Sequence, residues 1–130
     1  AAGDVARVAN QWHGDSPRIE HWTNAVEQAV HAAENALAGP AAHTSFSSVP
    51  YFWSEQYDRK IQFIGRARPH DEMVIVDGSL AGRRLTALYR RGDRVVACLA
   101  VNQPLGLIKY RKLIAGGALW EAARSGTAAS

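Results

Sequence analysis

Arg84-Leu85-Thr86-Ala87-Leu88-Tyr89-Arg90-Arg91-Gly92-Asp93-Arg94-Val95-Val96-Ala97-Cys98-Leu99-Ala100-Val101 is the stretch that decides the fold class of this 130-residue chain. Arg84 to Tyr89 and Arg94 to Val101 read as two strands, and Arg91-Gly92-Asp93 is a turn signal between them. A connection this short favours antiparallel neighbours, because a parallel crossover needs a dozen residues or more. Cys98, the only cysteine, falls inside the second run, which predicts a buried and inert thiol. A single cysteine also excludes an internal disulfide, a dithiol redox pair and a multi-cysteine metal site.

Outward from this pair, β-branched and aromatic runs follow closely from Tyr51. Lys60 to Gly65 and Met73 to Val76 read as further strands, with Asp77-Gly78 as another turn signal. On the C-terminal side, Pro104 opens a helix carrying Leu105, Ile108 and Leu113, and Gly116-Gly117 ends it. A short last helix is expected over Ala118 to Arg124, followed by a loose tail from Ser125 to Ser130. On the N-terminal side, residues 41–50 form a polar linker. Before it, Ala25, Val26, Ala29, Val30, Ala33 and Leu37 recur at spacings of three and four, the mark of an amphipathic helix. Asn24 with Glu27 resembles a capping box, Thr23 is an alternative cap, and Gly39-Pro40 supplies the stop. Gly3 to Arg18 reads as a strand end and a long loop. The sum is an α+β fold: a small antiparallel sheet of about four to five strands, one N-terminal helix and C-terminal helices.

Apolar residues make up 47% and charged residues 21%, which suits a soluble globular domain rather than disorder. No apolar stretch approaches the roughly 20 residues needed to span a bilayer, and the start lacks a secretory pattern, so a cytoplasmic setting is expected. The formal charge is +3, with arginine far outnumbering lysine. The basic clusters are only two or three residues long, which favours a solvated basic surface over a nucleic-acid groove.

Little in the chain looks catalytic. The histidines His13, His21, His31, His43 and His70 lack metal-ligand spacing apart from a weak His-Asp-Glu run at His70, and surface positions are expected for them. No serine elbow or glycine-rich phosphate loop is present. Three local features stand out. In Gly3-Asp4-Val5-Ala6, glycine permits close backbone approach and the carboxylate can accept bonds from sugar or ribityl hydroxyls; a plain turn is the alternative. In Ile19-Glu20-His21-Trp22-Thr23-Asn24-Ala25-Val26-Glu27-Gln28, an acid, a histidine and a tryptophan precede a helix start, which suits an anionic or electron-rich ligand. There the alternative is that Trp22 staples the helix and Glu20 helps to cap it. In Val49-Pro50-Tyr51-Phe52-Trp53-Ser54-Glu55-Gln56-Tyr57, four aromatics lie too close together for one strand face to bury them all.

In this order the three motifs resemble the ferredoxin reductases of oxygenase systems, which serve putidaredoxin-like and dioxygenase ferredoxins. Lys60 to Gly65, Val101 to Pro104 and Tyr110 to Ile114 extend the resemblance over nearly the whole chain. It implies an enzyme that moves a hydride from NADH to FAD and then single electrons to an iron–sulfur ferredoxin. It also implies that residues 1–40 end an FAD-binding region and that residues 41–130 form the reductase C-terminal α+β domain. Gly3, Asp4 and Val5 would belong to the flavin site, with Asp4 on the ribityl chain. Glu20, His21 and Trp22, with Ala25 at the helix start, would lie beside the isoalloxazine ring, where the helix dipole would stabilise negative charge on a reduced flavin. Trp53 would sit near the flavin edge and the ferredoxin-docking face, where a basic surface would suit an acidic ferredoxin. The family's FAD and NAD fingerprints lie upstream of Gly3, so the isolated chain is expected to bind FAD weakly or not at all and to be inactive by itself. The alternative is a stand-alone dimerisation or protein-binding module without redox activity, and a homodimer is compatible with either.

Overall fold

Backbone hydrogen bonds that a strand cannot satisfy alone must be met by its neighbours, and this demand organises the larger part of the chain. The computed structural model describes residues 1–10 and 14–125, so His13 and all of the predicted tail beyond Ser125 lie outside the described residues. The chain falls into two units, Ala1–Tyr51 and Phe52–Ser130.

The second unit is built on five strands, β1 (Tyr51–Gln56), β2 (Arg59–Gly65), β3 (Glu72–Ser79), β4 (Arg84–Arg91) and β5 (Arg94–Val101). They lie in the order β1-β2-β5-β4-β3. β4 and β5 form the expected antiparallel hairpin, from Leu85 opposite Val101 to Arg91 opposite Arg94. The last strand then inserts beside β2, with Ile61 opposite Val101 and Gly65 opposite Ala97. The short link over residues 66–71 therefore does not join neighbouring strands. β2 has its free edge taken by β5, and β3 must pair with β4 instead.

Paired residues of adjacent strands share a face. Val74, Leu88, Cys98 and Ile64 form one row, and Asp77, Thr86, Ala100 and Gln62 form the next. This face is covered by α2 (Pro104–Ala115), whose Gly106 lies against the Thr86 hydroxyl and whose Leu107, Leu113 and Ile114 are buried. Leu105 and Ile108 turn outward instead. α3 (Trp120–Ser125) begins two residues later than expected; the Trp120 N–H donates to Asp93 O at 2.7 Å, and the ring lies under the Arg90 guanidinium. The opposite face carries Phe63, Leu99, Ala87 and Ile75 in one row, and Phe63 packs on both Phe52 and Tyr89. Cys98 has no solvent exposure, and burial pushes its thiol up to about 12, so it is inert.

Asp77-Gly78 is not a turn. Both residues lie inside β3, where the register slips between Ile75 and Asp77, and the reversal comes later, with the Arg83 N–H bonded to Leu80 O. The slip is a bulge, one extra residue of β3 against β4. The extra residue is Val76; two positions on, Gly78 has φ 73, and a Cβ there would fall 2.1 Å from Arg84 O. Asn102 ties the sheet's end together: its Oδ1 accepts from the Lys60 N–H, and its Nδ2 donates to Asp58 O and Arg83 O. Arg91 clamps the link over residues 66–71 by donating twice to the Asp71 carboxylate and once to Arg66 O.

In the first unit, Gly3–Val5 is a 3-10 turn rather than a strand end. The helix α1 (Trp22–Ala38) starts earlier than the capping-box reading placed it. His21 occupies the N-cap position without a side-chain cap bond, and Asn24 is already helical, its Nδ2 donating back to Ile19 O. Glu27 accepts from the Ser48 hydroxyl instead of closing a box. The polar side of α1 is the side that is tied down. Asn35 both donates to Thr44 O and accepts from the Thr44 N–H, and His31 meets the same carbonyl. Its apolar stripe is open, with Trp22 72%, Val26 45%, Val30 54% and Leu37 89% exposed.

Gly78→Ala is expected to destabilise the chain by about 2–3 kcal/mol, read as a lower urea midpoint, because neither the backbone angle nor the neighbouring carbonyl can accommodate a methyl group. An unchanged midpoint contradicts this. Burial raises the Asp71 carboxyl, but its bonds from Arg91 and the Arg68 N–H outweigh that and leave it below the usual range. The stability it lends is therefore full above its unfolded value near 3.8 and is lost as pH falls through the lower folded value. Asp71→Asn is expected to cost about 2 kcal/mol at neutral pH and to flatten the acid limb of a stability–pH curve.

Candidate functional site

Two short pieces of chain meet at the start of α1. The turn Gly3–Val5 closes on itself through the Ala6 N–H, which donates to Gly3 O at 2.9 Å. It is fixed to the helix by the Gly3 N–H, which donates to the buried Oε1 of Gln28 at 2.9 Å. Gly3 has φ 77, and a Cβ there would come within 3.2 Å of the Ala25 methyl. Only glycine lets the turn sit this close to the helix. Asp4, next in the chain, is exposed, and Val5 is 76% exposed.

Across from the turn is the N-terminal end of α1, whose first turn carries no side-chain cap. Backbone N–H groups and the positive end of the helix dipole at such a terminus favour an electron-rich group. His21 stands at this point, half-buried. Burial pulls its imidazole below the usual histidine value, and the nearby Asp4 carboxylate partly opposes that shift. The ring is thus neutral at neutral pH. Asp4 is an acceptor suited to hydroxyl groups, the helix end is a donor, and the two are separated by a histidine without charge.

Among the predicted residues, Gly3, Asp4, His21 and Ala25 come together in this corner. Trp22 is the first helical residue and is largely exposed, so it does not staple the helix. Glu20 pairs with Arg18 at 2.6 Å, on the surface, and takes no part in capping. Trp53 belongs to the second unit, on the edge strand β1, where it is 43% exposed beside Phe52 at 37%. Tyr57, at the hairpin tip, is wholly exposed, in keeping with the crowding of aromatics there. The cations of this hairpin are already paired, Arg59 with Asp58 and Lys60 with Glu55 at 3.4 Å. Gln28 and Asn24 position the corner; both lie in the motif before and into the helix, Asn24 as a cap, but neither was assigned to the flavin site. Their signal is the recurrence of polar residues at 24, 28, 31 and 35 along one side of an alanine-rich helix. Among the described residues no group of histidine, cysteine and acidic side chains could hold a metal ion, and no helix is long and apolar enough to cross a membrane.

The family described as "Reductase C-terminal" matches residues 51–129. The chain is 37% identical over 118 residues to the ferredoxin reductase subunit of a 5,5'-dehydrodivanillate O-demethylase from Sphingobium sp., covering 90% of this chain and 28% of that protein. It is 36% identical over 114 residues to putidaredoxin reductase from Pseudomonas putida, covering 88% and 26%. Its fold matches the covalent putidaredoxin reductase–putidaredoxin complex with a TM-score of 0.79 at 31% identity, over 89% of this chain and 27% of that one. The chain thus spans less than a third of the length of these proteins.

The neutral state of His21 is testable. Its NMR titration midpoint is expected below 6.5, and Asp4→Asn is expected to lower it further by removing the opposing charge. Because the folded value is the lower one, the unfolded chain binds the proton more readily. Stability is therefore full above about 6.5 and falls with pH until the folded value is passed. A midpoint above 6.5, or an upward shift in the variant, contradicts the assignment.

Proposed function

The chain belongs to the reductase C-terminal family, and from that premise we propose that it is the C-terminal part of an FAD-dependent NAD(P)H:ferredoxin oxidoreductase. The observation that carries this reading is the corner formed by Gly3, Asp4, His21 and the uncapped start of α1. An exposed carboxylate beside a glycine that admits no side chain fits a hydroxyl-bearing chain such as the ribityl of FAD. A helix N-terminus fits the electron-rich end of the ring. When bound, the flavin supplies the step from hydride to single-electron chemistry. Asp4 accepts bonds from the ribityl hydroxyls and fixes the position of that chain. The N–H groups at the start of α1 favour negative charge in front of them, and His21, being neutral, places no fixed charge in the corner.

The open stripe of α1 supports the same reading. Trp22, Val26, Val30 and Leu37 share one side of a 17-residue helix, and all four are exposed in this chain. Relatives of which this chain spans 26–28% carry a much longer remainder, and a remainder of that kind is the surface the stripe would pack on. On this reading NADH is handled by the remainder, the electron acceptor is an iron–sulfur ferredoxin, and the setting is cytoplasmic.

The isolated chain is expected to purify without a flavin spectrum. Grafted in place of the matching segment of putidaredoxin reductase, it is expected to restore a stoichiometric flavin spectrum and NADH-dependent reduction of putidaredoxin. In that graft, Asp4→Ala should weaken FAD binding about tenfold or more, since hydrogen bonds to a charged group contribute about 1.5–3 kcal/mol. A folded graft that holds flavin equally well with and without Asp4 would refute the ribityl role.

A further inference from the structure

At the end of the sheet where β3 starts and β4 finishes, an open cleft of about 410 Å³ is lined by Arg68, His70, Asp71, Glu72, Arg90 and Arg91. All six residues belong to the second unit. Ordinary ligand pockets are lined mostly by apolar groups. This one presents guanidinium groups, an imidazole and carboxylates, so a charged ligand suits it and an apolar one does not.

The two carboxylates are committed to the arginines. Asp71, its side chain 4% exposed, accepts from Arg91 Nε at 2.8 Å and Nη2 at 2.6 Å, and from the Arg68 N–H at 2.7 Å. Glu72 pairs with Arg90 Nη2 at 2.8 Å, and the Arg90 guanidinium lies over the Trp120 ring. These contacts fix the guanidinium planes without exhausting them. The bonds of Arg91 use Nε and Nη2, which leaves the N–H donors of Nη1, and Arg90 keeps Nε and Nη1. Among the described residues the His70 ring meets no partner, and it carries an N–H in either neutral tautomer. Neighbouring strand residues normally face opposite sides, yet Arg90 and Arg91 line the same cleft. They are the last two residues of β4, where the register with β5 slips between Tyr89 and Arg90.

We propose that this cleft binds a phosphoryl dianion, held by the spare N–H groups of Arg90 and Arg91 with Arg68 and His70 completing the shell. Planar guanidinium groups grip tetrahedral oxyanions through paired donors, and planes already fixed by Asp71, Glu72 and Trp120 lose little freedom on binding. The carboxylates do not cancel this attraction, because Asp71 lies beneath the guanidinium it orients and is almost wholly covered. Glu72 is 56% exposed at the rim and can accept from a hydroxyl beside the bound group. Free phosphate and a sugar phosphate ester carry the same phosphoryl chemistry, and only the ester brings such a hydroxyl. The proposal is independent of the flavin reading, since no residue of the flavin corner lines the cleft.

The test is titration of the isotopically labelled 130-residue chain with sodium phosphate, followed by amide NMR at a pH of about 7.5, where the ligand is mostly dianionic. Sodium chloride at a matched ionic strength of about 0.15 M is the control. Phosphate is expected to shift the amides of Arg68, Asp71, Arg91 and Gly92 saturably, with a midpoint of about 1 mM. Arg68→Ala and His70→Ala replace exposed side chains, and each is expected to weaken binding about fivefold with the urea midpoint unchanged. Lys109→Ala removes an exposed cation of α2 that lines no part of the cleft, and is expected to leave phosphate binding as it was. Ribose 5-phosphate is titrated in the same way. Equal or weaker binding of the ester assigns the site to phosphate itself. Binding about threefold or more tighter, an advantage that Glu72→Gln erases, assigns it to an ester. Equal shifts from chloride, or no saturation by about 50 mM phosphate, would reduce the effect to general screening and overturn the proposal. It is also overturned if both cleft variants bind like the unsubstituted chain, or if Lys109→Ala loses as much as they do, since the ion then belongs to the basic surface at large.

Discussion

The pairing of β4 with β5 is the constraint on which the second unit rests. β5 is flanked on both sides, by β4 and by β2, so its backbone is hydrogen-bonded along both edges. Its Ala97, Cys98 and Ala100 have no exposure. The small side chains of Cys98 and Ala100 let α2 approach closely enough to bury Leu107, Leu113 and Ile114 over the Ile64–Cys98–Leu88 row. The same pairing leaves β3 only one neighbour and obliges residues 66–71 to be held from the side. Arg91 does this through Asp71, whose side chain is only 4% exposed. The bulge at Val76 follows from the same demand, because β3 must stay in register with β4 at both ends while carrying one residue more.

The first unit follows a different logic. Polar side chains on α1 satisfy the backbone of extended segments that have no sheet partner: Asn35 and His31 at Thr44, Asn24 at Ile19, Gln28 at Gly3. These bonds turn the polar side of the helix inward and its apolar stripe outward, the reverse of an ordinary surface helix. The candidate flavin corner is a by-product of this stitching. Gln28 holds the Gly3–Val5 turn at the height where Asp4 and His21 influence each other. A wall built in this way has one finished side and one open side, which suits a piece of a larger oxidoreductase.

Much of this was legible in the residues. The α+β class, the β4–β5 hairpin, the Pro104 helix start, the Gly39 and Gly116 stops and the inert Cys98 each depend on interactions within a few residues, where spacing and propensity act directly. The family resemblance, and with it Gly3, Asp4 and His21, rested on ordered motifs rather than on geometry. What could not be read were the choices among competing partners. Asp77-Gly78 is a turn signal wherever the chain is free to reverse, and stays in the strand here because the facing strand fixes its register. Asn24 and Glu27 make a capping box only if the helix starts beside them, and the segment around Ser48 took Glu27 instead.

The sequence by itself determined which segments are helical or extended, that no internal disulfide or multi-cysteine site can be built, and which family the motifs point to, because those properties reside in residue identity and short-range spacing. Only the tertiary structure decided the strand order, the inward turn of α1's polar side, and the difference between paired and unpaired cations. Fifteen basic residues in a sequence are only a net charge. Which of them are neutralised, as in the hairpin after Trp53, and which remain available, as Lys109 and Lys112 do, depends on distances between residues that the fold alone sets.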